Sequence, residues 1–230
     1  MSFIIKDTQV KAVYSTLEQE EASYIPFSVE ENTILEKESL LPIGLLSYNK
    51  FDSNSDDKIL IAMPNMQGIF YGDYPLVTYS LTDEGWALDD EYTDALEYPL
   101  EQPHSDYYHK AIAFFRENQY LTNDLTSGER APLFELGGQP PLGQNWDAMI
   151  VDEDEDNPDL DNYYEVMDEE SGPDFDIMST REITYFDAEL DKEFVFLGTF
   201  SFDVYFEGGG DCIVFYQPEL KKVMVVAEFS

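Results

Sequence analysis

The segment "EFVFLGTFSFDVYF" (Glu193–Phe206) decides the fold, together with "DCIVFYQ" (Asp211–Gln217) and "KVMVVAEF" (Lys222–Phe229). All three are rich in β-branched and aromatic residues, and the turn sequences "EGGGD" (207–211) and "QPELK" (217–221) separate them. Such runs joined by short turns predict consecutive strands of an antiparallel meander. In "TFSFDVYF" every second residue is apolar, which predicts that the first strand continues, half-buried, to the end of its segment.

Further strands are predicted on the N-terminal side of this meander. The sequences "KILIAMP" (58–64), "QGIFYGDYPLVTYSL" (67–81) and "ITYFDA" (183–188) have the same composition. Two other stretches, 16–25 and 28–41, are typical of short helices, because each begins with an N-cap residue followed three places later by an acid or amide.

A longer helix is predicted for "SDYYHKAIAFFRENQYL" (105–121), with Ser105 as its N-cap. Apolar residues recur at three- and four-residue spacing on one side of this helix: Tyr108, Ala111, Ile112 and Phe115. Lys110 and Arg116 fall on the opposite side. We expect this apolar stripe to pack across a sheet. The sequence therefore predicts an α+β fold, mainly antiparallel β-sheet with a few packed helices.

The organisation along the chain suggests two portions within one compact unit. Residues 1–125 form an N-terminal α+β portion, and residues 126–230 form a β-rich portion interrupted by an acidic insert at 151–177. The length of 230 residues fits either one large domain or two small ones.

The charge of the chain excludes several classes of partner. It has 49 acidic and 12 basic residues, a formal net charge of −37 and a pI of about 4.1. Such a charge repels nucleic acids and anionic membranes and favours encounter with basic proteins. The chain is nevertheless 43% apolar, with 16 Phe and 16 Tyr, whereas disordered acidic chains are poor in aromatic residues. We therefore expect a folded acidic protein.

The sequence also bears on the compartment in which the protein acts. Cys212 is the single cysteine, so no intrachain disulfide can form. The N-terminal sequence "MSFIIKDTQVKAVYS" lacks the pattern of a signal peptide, and no apolar run approaches the length of a membrane span. We expect a soluble, cytoplasmic protein.

The densest concentration of charge is "VDEDEDNPDLDNYYEVMDEESGPDFDI" (151–177), which contains thirteen acidic residues and no lysine or arginine. A second run without bases lies between Lys58 and Lys110. Aromatic residues stand inside both runs, as in many protein interfaces, where rings supply burial and carboxylates supply steering and ion pairs. The predicted partner-binding residues are Asp152, Glu153, Asp154, Glu155, Asp156, Asp159, Asp161, Tyr163, Tyr164, Glu165, Asp168, Glu169, Glu170, Trp86 and Trp146. The simpler interpretation is that these runs are solvated faces.

A calcium-binding loop is the first alternative for the acidic segment. Asp152, Asp154 and Asp156 fit the first, third and fifth positions of an EF-hand. The required glycine is replaced by Asn157 and the final bidentate glutamate by Tyr163, so the EF-hand pattern fails. No metal site and no cofactor are predicted, although cation-dependent folding of the segment stays open as a hypothesis.

Catalytic patterns are equally weak. His104 and His109 are spaced by five residues, which does not place them on one helical face, and we expect them to face solvent. Cys212 is preceded by Asp211 and follows Glu207, so it fits a buried structural cysteine better than a thiolate nucleophile. The "EGGGD" turn lacks the lysine of a phosphate-binding loop. No catalytic residues are predicted, and the chain is not expected to be an enzyme.

The segment "LFELGGQPPLGQNWD" (133–147) contains a Gly-Gly-x-Pro-x-x-x-Gln pattern, formed by Gly137, Gly138, Pro140 and Gln144. It is followed by "EFVFLGTFSF", a glycine-rich turn and "CIVFYQPELKKV". This order resembles the YwqG-like family of bacterial domains of unknown function, over 132–228. Two features depart from the family: it usually has a glutamine where this chain has Gly198-Thr199, and the acidic insert is not typical of it.

The resemblance implies a β-rich α+β fold without an established activity. Domains similar to this one occur among proteins encoded beside secreted bacterial toxins, where they are taken to be immunity proteins. The main hypothesis is therefore an immunity or inhibitor protein that neutralises a cognate basic toxin, for example a nuclease. The alternative is a β-rich domain that binds a small ligand or acts as an enzyme, with acidic residues serving solubility or cation binding.

Overall fold

The computed structural model describes residues 11–13, 24–27, 40–65, 76–89, 102–123, 125, 128–138, 140, 167–168, 172–173, 185–187, 192–205 and 209–228. These residues form fifteen strands and one α-helix, and every strand pairing among them is antiparallel. The predicted α+β class with mainly antiparallel sheet is confirmed, although the described residues contain a single α-helix rather than a few.

The centre of the fold is an eight-stranded sheet in the order β1-β9-β13-β14-β15-β5-β6, with β12 pairing another part of β13. Its strands are β1 (Lys11–Val13), β5 (Leu76–Thr82), β6 (Gly85–Leu88), β9 (Phe134–Leu136), β12 (Tyr185–Asp187), β13 (Lys192–Ser201), β14 (Asp211–Gln217) and β15 (Lys222–Glu228). Strands from both the 1–125 and the 126–230 portions therefore belong to this one sheet.

Three smaller sheets complete the described strands. A three-stranded sheet in the order β2-β3-β4 consists of β2 (Tyr24–Pro26), β3 (Leu40–Ser47) and β4 (Lys58–Pro64). Two hairpin-like pairs are formed by β7 (Leu121–Thr122) with β8 (Arg130–Ala131), and by β10 (Met167–Asp168) with β11 (Gly172–Pro173).

The predicted meander is present as β13, β14 and β15, which are adjacent in the large sheet. The prediction that the first of these strands continues to Phe206 is wrong, because β13 ends at Ser201 and a 3-10 turn follows at Phe202–Val204. The Ser201 hydroxyl accepts a hydrogen bond from the backbone N–H of Asp203, at 3.3 Å, and this local contact favours a turn over an extended strand.

The two short helices predicted near the N-terminus fall mostly outside the described residues. Their last residues are described, and these lie in strands rather than helices: Tyr24–Pro26 is β2 and Leu40–Ser47 is β3. The apolar sequence "LLPIGLL" explains β3, since all seven of its residues, from Leu40 to Leu46, are buried.

The predicted long helix is α1 (Gln102–Asn118), which begins and ends three residues earlier than expected. Ser105 therefore lies inside the helix and not at its N-cap. Pro103 explains the earlier start, because its fixed φ and missing N–H suit the first turn of a helix. The apolar stripe is confirmed: Tyr108, Ala111 and Phe115 are buried, Ile112 packs against the core, and Lys110 and Arg116 are exposed.

The three-stranded sheet and α1 pack on one face of the large sheet, and buried side chains from all three form a single apolar cluster. The Tyr108 hydroxyl on α1 donates a 2.5 Å hydrogen bond to the backbone carbonyl of Pro42. Pro42 stands at a register shift between β3 and β4, so the irregular strand and the helix are joined at this point.

A second irregularity lies in β13 at Gly198. The register between β13 and β14 shifts between Phe196 and Gly198, and Gly198 has a φ of +152°. A Cβ added to Gly198 would lie 2.0 Å from the backbone oxygen of Glu135 on β9. Glycine is therefore required here, both by the backbone conformation and by the close approach of β9.

Candidate functional site

The structure describes two of the fifteen predicted partner-binding residues, Trp86 and Asp168. The others lie outside the described residues: Asp152, Glu153, Asp154, Glu155, Asp156, Asp159, Asp161, Tyr163, Tyr164, Glu165, Glu169, Glu170 and Trp146.

Trp86 is part of the core and not of a surface. It lies on β6 opposite Leu81 of β5, is 1% exposed, and packs edge-on against Tyr79 with ring centroids 5.9 Å apart. Among the residues that the structure describes, its indole Nε1 finds no hydrogen-bond partner. The acidic residues around it in the sequence suggested an interface anchor, but the register turns its side chain towards the apolar cluster. Trp86 is therefore not available to a partner in the folded protein.

Asp168 ends strand β10, which pairs with β11 so that Asp168 lies opposite Gly172. Glu169, Glu170 and Ser171 connect the two strands in the sequence. The backbone of the acidic segment therefore contains a short antiparallel pair at this place.

An ion-paired network that the sequence patterns did not indicate joins the ends of the two main sheets. Asp57, in the β3–β4 connection, accepts hydrogen bonds from the Lys221 ammonium and, at 3.2 Å, from the Tyr216 hydroxyl. The Tyr216 ring meets the Tyr48 ring edge-on, with centroids 5.0 Å apart. These residues are far apart in the sequence, so only the fold brings them together.

The titration of this network follows from burial and charge. Burial opposes ionisation of Asp57 and by itself would raise its pKa. The hydrogen bond and positive charge of Lys221 outweigh burial, together with hydrogen bonds from Ser55 and Tyr216, so the pKa of Asp57 lies below 3.8. Burial, reinforced by the negative charge of nearby Asp52 and Asp57, raises the pKa of Tyr48 to about 12. Burial and Asp57 also raise the pKa of Tyr216, so its hydroxyl keeps the proton that it donates to Asp57.

A second network holds Asp89 at the end of β6. Its carboxylate pairs with the Lys222 ammonium at 2.8 Å and accepts hydrogen bonds from the hydroxyls of Thr78 and, at 2.8 Å, Ser80. Asp89 belongs to the acidic run between Lys58 and Lys110, but here its charge is satisfied within the protein. Lys221 and Lys222, adjacent in the sequence, are thus both held by carboxylates of the same chain.

Carboxylates also approach one another around Asp211. Asp211 and Glu228 are cross-strand partners on β14 and β15, and the Asp203 carboxylate accepts the backbone N–H of Gly210 at 3.1 Å. Burial, together with the negative charges of Asp203 and Glu228, raises the pKa of Asp211 above its ordinary value. Among the residues that the structure describes, no group of three or more His, Cys, Asp or Glu side chains is arranged to hold a metal ion.

Cys212 is 1% exposed, within the core between β13 and β15. Burial, reinforced by Asp211, raises the pKa of its thiol well above the ordinary value. A thiol that stays protonated is a poor nucleophile, which agrees with the structural role expected from the sequence. His109 is exposed on α1, also as expected.

Within the described part of the chain, no helix combines the length and the apolar character needed to cross a membrane.

Compared with known proteins, the chain matches no protein-family model, no curated protein and no solved structure.

Proposed function

We propose that this chain binds a basic protein and inhibits it, acting as an immunity protein towards a toxin encoded beside it. The observation that carries the proposal is the uneven distribution of charge along the sequence. The described residues contain nine of the 12 basic residues but only seventeen of the 49 acidic ones. The excess negative charge therefore belongs to the remaining sequence, above all to Asp152–Asp176, which has thirteen acidic residues and no basic ones.

The described scaffold has nine basic residues, fewer than the thirteen carboxylates of Asp152–Asp176 alone. Lys221 is paired with Asp57 and Lys222 with Asp89, so two of its nine basic residues are already engaged. The carboxylates of the acidic segment therefore act on a partner's lysines and arginines. Charge of this kind accelerates encounter, with association rate constants up to roughly 10⁸–10⁹ M⁻¹s⁻¹ at low salt, and disfavours anionic competitors.

The proposed contacts are the carboxylates of the acidic segment, which occupy the basic cleft of the partner in place of phosphates. Tyr163, Tyr164 and Trp146 supply the apolar contacts, and Trp86 is withdrawn from the set because it is buried. Among the possible kinds of inhibitor we propose an immunity protein because residues 132–228 resemble YwqG-like domains. A protein with this role acts in the cytoplasm of the producing cell, where it meets its toxin before export.

The test measures binding of the full chain to the basic protein encoded beside it, with association rates recorded over a range of salt concentrations. One variant replaces Asp152, Asp154, Asp156, Asp159 and Asp161 with Asn. The matched control makes the same change in charge on exposed residues of the scaffold, as D52N, D56N, D83N, E84Q and E219Q.

We expect the first variant to weaken binding by at least about tenfold and to flatten the dependence of the association rate on salt, because close charge pairs are lost. The control should change both quantities much less. Equal losses in the two variants would mean that only net charge matters, and failure of the unmodified chain to bind the neighbouring protein would refute the proposal.

A further inference from the structure

We draw no further inference here: the strongest candidate, the apolar face of the large sheet formed by Phe196 of β13, Ile213 and Phe215 of β14, and Met224 and Val226 of β15, carries none because nothing among the described residues shows what covers it.

Discussion

The hydroxyl of Tyr79 donates a 2.8 Å hydrogen bond to the backbone carbonyl of Leu60. Tyr79 lies on β5 of the large sheet and Leu60 on β4, the edge strand of the three-stranded sheet. The same hydroxyl accepts the backbone N–H of Ala62 at 3.2 Å. One buried side chain therefore satisfies two backbone groups on the unpaired side of an edge strand, where water has no access.

Replacing Tyr79 with Phe should lower the free energy of unfolding by about 1–3 kcal/mol, because a buried N–H and a buried carbonyl lose their partner. Denaturant unfolding measures the change. Tyr107→Phe, at a half-exposed tyrosine on α1, is the matched control and should change stability much less. Equal effects of the two substitutions would show that the bridge between the sheets contributes nothing of its own.

Replacing Gly198 with Ala should destabilise the protein by roughly 3 kcal/mol or more, because the new Cβ meets the Glu135 oxygen and the backbone is strained. Thermal and denaturant unfolding measure the loss. Thr199→Ala, the next residue on the same strand, lacks both problems and serves as control. A well-tolerated Gly198→Ala would mean that β9 and β13 separate easily.

Replacing Asp57 with Asn should lower stability at neutral pH by up to about 1 kcal/mol, a modest value because this ion pair is partly exposed. The pKa of Asp57 is depressed in the folded state, so its contribution is complete above 3.8 and is lost as the pH falls through the folded-state pKa. The variant and the unmodified chain should therefore converge in stability as the pH falls through the folded-state pKa of Asp57. Asp56→Asn, at the exposed neighbour, removes the same charge and serves as the control.

Replacing Asp211 with Asn should leave the protein equally stable or more stable at neutral pH. The pKa of Asp211 is raised by burial and by Asp203 and Glu228, so ionisation is less favourable in the folded than in the unfolded state. The effect of the Asp211 charge on stability is thus opposite in sign to that of Asp57. The ionised Asp211 carboxylate destabilises the folded state at high pH, and this destabilisation is lost as the pH falls through the folded-state pKa. Unfolding measured between neutral and acid pH would contradict this if Asp211→Asn lost stability at neutral pH.

Local composition is sufficient to predict those strands that consist of uninterrupted β-branched and aromatic residues. Strands β4, β14 and β15 coincide with the predicted segments. The apolar stripe predicts the helix but not its start, because the helix begins before Ser105 with Pro103 in its first turn. The alternating apolar pattern does not predict the end of β13, because the turn after Ser201 depends on a hydrogen bond to one hydroxyl.

Long-range relationships were beyond the reach of such patterns. The pairing of Asp57 with Lys221 and of Asp89 with Lys222 arises from sheet order, which the sequence does not display. Trp86 looked like an interface residue because its sequence neighbours are acidic, whereas its burial is decided by the register of β5 with β6. Most of the predicted site residues stay predictions, since they lie outside the described residues.

The position of β15 inside the large sheet has a consequence for how the chain folds as it is made. Strand β5 pairs on one edge with β6, which follows it directly in the sequence. Its other edge pairs with β15, as Val77 does with Val225, so that edge is uncovered until most of the chain has been synthesised. Pairings of such long range make folding slow and leave an apolar strand edge exposed on the ribosome. The nascent protein therefore passes through a period in which its later core needs protection from other chains, and synthesis that stops before Lys222 leaves the sheet without the strand that joins its two halves.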